Sequence, residues 1–188
     1  MSLPTDPSRW AALTVDPGTG GPKIALVTLD GTIHWSEFRP IPTERPSARR
    51  ALQDADLWWT EILDAARGAL AVGAVDPTIV RAISITGQWS STVPVRADLT
   101  PAGPCRLWMD TSAATHSQEV IGGPVLGYHP LRLPAFLRKT AGVPSPFGGD
   151  PVSHMLGFQR DEPELDARTR WYLEPVDYLT SRFAGRVS

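Results

Sequence analysis

Apolar positions follow two rhythms along the chain. Residues 11–16 are largely apolar and run into Asp-Pro-Gly-Thr-Gly-Gly-Pro, residues 23–29 are apolar again, and Asp30-Gly31 turns them into residues 32–38. Both residues of an Asp-Gly pair tolerate the positive φ of a tight hairpin, so the pattern predicts a three-stranded antiparallel meander. Pro40, Pro42 and Pro46 cannot donate to a ladder and mark a loop. After the loop Trp58, Trp59, Ile62, Leu63, Ala66 and Leu70 recur at helical spacing, with Asp56 as the expected N-cap. Residues 81–86, bounded by Asp76-Pro77 and Gly87, read as a buried strand. A helical crossover into it suits parallel pairing with the meander.

Residues 93–95 and 106–109 read as further short strands, separated by a turn over residues 98–104. Helical periods follow at residues 112–120, 131–140, 152–159 and 175–183. The Pro- and Gly-rich residues 122–151 read as a winding surface insertion. The predicted class is α/β: a mixed sheet with an antiparallel meander and flanking helices. One domain is expected over residues 1–188, since 188 residues suffice for one core.

Charge narrows the choice of partner. The 18 basic and 20 acidic side chains are spread along the sequence, so no basic field collects a polyanion, and nucleic acid is not an expected partner. Lys23 and Lys139 are the only lysines, and the arginines form no cluster that would read phosphate. The single cysteine, Cys105, cannot close an intrachain disulfide and is read as a small buried residue. His34, His116, His129 and His154 lack a metal-ligand spacing and are read as surface or core-edge residues. Residues 1–7 lack the regions of a signal peptide, and the longest apolar run, near residues 68–75, is too short for a bilayer. A cytoplasmic protein away from membranes is expected.

Candidate chemistry concentrates at Asp16-Pro17-Gly18-Thr19, between the first two strands. Its backbone can turn N–H groups toward an anion, the Thr19 hydroxyl can donate to a phosphate oxygen, and the Asp16 carboxylate can hold a metal-bound water. Neither G-x-x-x-x-G-K-[ST] nor G-x-G-x-x-G occurs. A turn of this composition also occurs in hairpins that bind nothing, so alone it assigns no function. Trp58-Trp59 and Trp171-Tyr172 are read as core packing, and Ser90-Ser91 has no base nearby in sequence.

An ordered series of segments carries more. Asp16-x-Gly18-Thr19-x-x-x-Lys23, Asp30-Gly31, Trp58-Trp59, Ile85-Thr86-Gly87-Gln88, Trp108-x-Asp110, Glu162-Pro163 and Leu173-x-Pro175-x-Asp177-Tyr178-Leu179 resemble the FGGY family of carbohydrate kinases, xylulokinases in particular. The resemblance runs from about residue 13 to the last residues. It implies an actin-like, ribonuclease H-like fold of two similar domains, of which this chain would be an incomplete N-terminal, sugar-binding one. The implied activity is transfer of the γ-phosphoryl of ATP to a sugar or polyol hydroxyl, most of all of a xylulose-like ketose. ATP and Mg²⁺ are the implied cofactors of the complete enzyme.

By the same resemblance Asp16, Gly18, Thr19 and Lys23 would meet Mg-ATP, with Asp16 reaching the metal through water. Gln88, Trp89, Ser90, Trp108 and Asp110 would face the substrate. The family's catalytic Asp base and its nucleotide-binding domain would lie beyond Ser188, so no residue here is assigned as the base. This chain alone is expected to be inactive, because phosphoryl transfer needs charge stabilisation from both sides of a cleft.

Three departures stand out. Trp89-Ser90 occupies the place where xylulokinases usually carry Met-His, Ser112 stands where the family often has Arg, and Pro17 and Pro22 stiffen the hairpin. They keep open an alternative, a non-catalytic sugar-binding or regulatory module of the same fold. A phosphatase of related architecture has less to recommend it, having no need of Gly87-Gln88 together with Trp108-x-Asp110. Apolar surface left by an absent domain would leave room for a homodimer.

Overall fold

The computed structural model describes residues 6–140 and 142–187. The reading of residues 1–7 as lacking a leader therefore lies mostly outside the described residues. In chain order the elements are β1 (Ala11–Gly18), β2 (Gly21–Thr28), β3 (Ile33–Phe38), β4 (Leu52–Gln53), α1 (Ala55–Ala71), β5 (Val80–Ile85), β6 (Val93–Val95) and β7 (Cys105–Arg106). They continue with α2 (Ala114–Ile121), β8 (Gly122–Gly123), β9 (Gly127–Tyr128), α3 (Arg132–Thr140), α4 (Pro151–Asp161), α5 (Pro163–Asp166), β10 (Trp171–Leu173) and α6 (Pro175–Ala184). The chain forms two compact units. One takes the spans Met1–Pro42, Ala55–Gln88 and Pro175–Ser188; the other takes Thr43–Asp54 and Trp89–Glu174.

The first unit holds a four-stranded sheet of order β3-β2-β1-β5, in which β1 to β3 form the expected meander and β5 pairs with β1 in parallel. Alternate residues of β1 are buried, and Leu13, Val15, Ile24 and Leu26 are almost fully so. Helix α1 packs on β1 and β2, burying Trp58, Ile62, Ala65 and Ala69. Each large side chain so removed from water contributes about 1.5–3 kcal/mol. From α6, Phe183 meets the Trp59 ring at 4.7 Å, and the Arg182 guanidinium lies 4.6 Å from the same ring. The turn after β2 is closed by Asp30, whose Oδ1 accepts from the Thr28 hydroxyl at 2.6 Å and the Thr32 N–H at 3.0 Å. Those two bonds hold its carboxyl below the usual carboxylate range.

Two expectations need correction here. Helix α1 begins at Ala55, so Asp56 stands in its first turn rather than at its cap, and its carboxylate accepts from Arg182 at 2.9 Å. Negative charge in that turn still suits the helix dipole. Strand β5 is largely exposed rather than buried, with Ile83 at 46%. It is the sheet's edge strand, and apart from β1 only α6 packs on it appreciably among the described elements.

The second unit is built from short pairings, β4 with β7, β6 with β10 and β8 with β9, together with α2 to α5. Its polar centre is Arg106, whose side chain is 1% exposed. Arg106 and Arg50 both donate to Glu162 Oε1 at 2.6 Å, and Arg106 also lies 4.4 Å from the Phe158 ring. Gly157 permits this: a Cβ there would stand 2.1 Å from an Arg106 nitrogen. In the expected insertion α3 has no buried residue, consistent with a surface segment. Trp171 and Tyr172, read as core, are half-buried in β10. Among the described residues no helix is long and apolar enough to cross a membrane.

Removing Glu162 strands the Arg106 charge in the interior, so Glu162→Ala is expected to cost about 3 kcal/mol or more. Arg106→Met leaves Glu162 its bond to Arg50 and should cost less; urea unfolding midpoints of the two variants give the comparison.

Candidate functional site

Strands β1 and β2 stay paired to their ends, Asp16 opposite Lys23, Pro17 opposite Pro22 and Gly18 opposite Gly21, which leaves Thr19-Gly20 as a two-residue turn. The stretch expected to be the turn between the first two strands is therefore mostly ladder, with the turn itself confined to Thr19-Gly20. The prolines cannot donate, yet their carbonyls are used: Pro22 accepts from the Arg39 N–H at 3.0 Å and Pro17 from the Gln88 N–H at 3.1 Å. Asp16 and Lys23 lie on the sheet face away from α1, 3.9 Å apart and well exposed. With Thr14, Ser36, Ser84 and Thr86 they line a shallow hollow of about 260 Å³.

Parallel pairing carries the end of β5 to this hairpin. The Thr86 N–H donates to Val15 O at 2.9 Å, and the chain then passes so close to Pro17 that a Cβ on Gly87 would stand 2.6 Å from the proline Cγ. Gln88 thereby reaches the hairpin turn, its Oε1 accepting from the Thr19 hydroxyl at 3.4 Å. Its Nε2 is shielded from solvent and has no protein partner. An orphaned buried donor costs free energy unless something accepts from it, so this amide fits a ligand oxygen, whether of a hydroxyl or of a phosphate. Asp16, Gly18, Thr19, Lys23 and Gln88 are thus brought together in the first unit.

Trp89, Ser90, Trp108 and Asp110 belong to the second unit. Trp89 is 77% exposed and Ser90 has a positive φ of 61°. Both line a cavity of about 500 Å³ with Phe136, Val152, Met155 and Glu174. Trp108 is 48% exposed and does not line that cavity; its N–H donates to the buried Ser91 hydroxyl at 3.0 Å.

Asp110, expected to face the substrate, has both carboxylate oxygens engaged within the protein. It is fully buried, Oδ2 accepting from the Ala51 N–H at 3.0 Å and Oδ1 from the N–H and hydroxyl of Ser112 at 3.1 and 2.6 Å. A carboxylate so occupied ties the segment before α2 to the segment before β4. His154, also fully buried, bonds the Asp110 carbonyl through Nε2 at 3.1 Å and the Thr92 hydroxyl through Nδ1 at 3.0 Å. Burial, partly opposed by Asp110, lowers its pKa from 6.5 to about 4. The other histidines make separate contacts: His34 with the Thr28 hydroxyl, His116 with Asp161 and His129 with the Leu131 N–H. No group of three or more His, Cys, Asp or Glu suited to a metal occurs among the described residues. Asp16 as a single exposed carboxylate suits a Mg²⁺ ion that keeps most of its waters and is shared with phosphates.

Phe136, Met155 and Glu174 were not anticipated. The first two hold apolar positions of helical patterns and carry no separate signal; Glu174 occupies the variable place in Leu173-x-Pro175.

The model of the FGGY family of carbohydrate kinases, N-terminal domain, matches residues 11–188. The chain is 27% identical over 171 residues to the xylulose kinase of Escherichia coli K12, covering 91% of this chain and 33% of that one. Over 81 residues it is 32% identical to the glycerol kinase of Xanthobacter autotrophicus, covering 43% of this chain and 16% of the other. Among solved structures it resembles a xyloylose kinase from Brucella ovis with a TM-score of 0.71 and 25% identity, over 91% of this chain and 34% of that one. A gluconate kinase from Lactobacillus acidophilus, 19% identical with a TM-score of 0.69 over 92% and 33% of the two chains, shares the fold. The chain spans about a third of the length of the curated xylulose kinases it matches.

Two outcomes check this geometry. Gly87→Ala should push the end of β5 off Pro17, lowering stability by about 1–3 kcal/mol in urea titrations. For His154, the unfolded chain takes up a proton as pH falls through 6.5 while the folded chain resists to about 4. The stability this group contributes is thus full above 6.5 and is lost between 6.5 and 4, on the order of 3 kcal/mol in all, and unfolding midpoints across that window should show the loss shrinking in His154→Gln.

Proposed function

The chain belongs to the FGGY family of carbohydrate kinases, and on that premise we propose that it supplies the N-terminal, sugar-holding part of an enzyme that moves the γ-phosphoryl of ATP to a sugar or polyol hydroxyl. A xylulose-like ketose is the favoured acceptor, because four of the curated relatives that the chain matches are xylulose kinases. The observation that carries the proposal is the meeting of the β1–β2 turn with Gly87-Gln88, where the Thr19 hydroxyl donates to Gln88 Oε1 and the buried Nε2 of the same amide has no protein partner.

ATP with Mg²⁺ would bring the transferable group and neutralise its charge. Around it, Gly18 and Thr19 would take phosphate oxygens through backbone N–H and hydroxyl, Lys23 would add positive charge, and Asp16 would hold a metal-bound water. Gln88 would fix an acceptor hydroxyl. In the second unit, Trp89 and Ser90 would have the substrate-facing role that the family resemblance implies for them. Asp110 acts at one remove, as the carboxylate that fixes the Trp108 segment. The kinase would act where ATP is plentiful, in the cytoplasm.

Assayed at its encoded full length with Mg-ATP and D-xylulose, Gln88→Ala should lower kcat/KM by roughly 10- to 100-fold at unchanged melting temperature. Unchanged kcat/KM in that variant would remove the observation on which the proposal stands. Sugar binding without any ADP release from the wild type would favour the non-catalytic binding module instead.

A further inference from the structure

The cavity beside Trp89 constrains the acceptor further. Its volume of about 500 Å³ lies in the range of pockets for drug-sized ligands. Most of its wall is apolar, with Trp89, Phe136, Val143, Val152 and Met155 contributing side chains. Asp150 also lines it, but that carboxylate is occupied within the protein. As the N-cap of α4 its Oδ1 accepts from both the N–H and the hydroxyl of Ser153 at 2.8 Å, and its Oδ2 accepts from the Ser145 N–H. The other polar side chains of the wall are Ser90, Glu174, Thr140 and Ser145, and of these the Thr140 hydroxyl donates to Phe136 O at 3.0 Å and the Ser145 hydroxyl accepts from the Phe147 N–H at 3.2 Å.

A bare polyol laid along such a wall would leave hydroxyls without partners, each at a cost of roughly 1–3 kcal/mol. An alkyl or aryl group would instead gain from contact with the open Trp89 ring and the aliphatic side chains behind it. We infer that this cavity of the second unit takes an apolar substituent, so that its ligand is a ketose or polyol bearing an alkyl or aryl group. This rests on the kinase reading for the role of Trp89 and Ser90, and it assigns to Trp89 the choice between substituted and bare acceptors.

The test is calorimetric titration of the protein at its encoded full length with D-xylulose and with its 1-O-butyl and 1-O-benzyl ethers, ADP release being followed in parallel. The ethers are expected to bind at least about tenfold more tightly than the parent sugar. Trp89→Ala, at an exposed position, and Met155→Ser should each narrow that difference. Parent binding as tight as the ethers, or no binding by any of the three, overturns the inference. Tighter ether binding without ADP release from any acceptor supports the cavity's preference and overturns the kinase reading, so the two fail separately.

Discussion

Parallel pairing of β5 with β1 is the contact on which the candidate phosphate and sugar residues depend. Segments far apart in the chain are aligned by it, Val15 beside Ile85, and the ladder then runs on through Thr86 and Gln88 to the carbonyls of Val15 and Pro17. A side chain at position 87 would hold these strand ends apart, because the Pro17 ring already occupies the space. Glycine there, proline opposite and glutamine next are therefore one device. It places an amide with an unused N–H beside the hydroxyl of a two-residue turn.

Much of that device was legible in the residues. The Asp-Gly turn, the helical recurrence from Trp58 and the Gly87 boundary predicted the meander and a strand parallel to it, while the choice of β1 as that strand's neighbour came only from the fold. Burial of β5 was misjudged, since an apolar run of its length reads alike at the centre and the edge of a sheet, and only the neighbours decide. Asp56 was misread by its proximity to the true helix start, one residue away.

The second unit was harder to read, and for a different reason. Its strands are two or three residues long, too short to show a period, and its centre is a set of polar side chains whose partners lie 56 to 112 residues away in sequence. The family resemblance implied that Asp110 binds a sugar hydroxyl; in the fold its carboxylate is an internal fastening for Ala51 and Ser112. Ser112, set where relatives often carry Arg, is likewise engaged, donating to Asp110 and accepting from Arg106 at 3.4 Å. That departure is absorbed within the framework. Trp89-Ser90 is different, because both residues line a cavity.

Transfer of phosphate to a carbon-bound hydroxyl, the activity proposed for the full-length protein, differs from hydrolysis of ATP and from simple binding in where the γ-phosphoryl group ends. The most direct measurement uses ATP labelled with ¹⁸O in the γ-phosphoryl group, with mass spectrometry of the sugar and of inorganic phosphate after incubation with the full-length protein and Mg²⁺. Labelled phosphoryl on the sugar is the predicted result. Label appearing only in inorganic phosphate, or remaining wholly in ATP across sugars and polyols that the protein binds, would contradict the account.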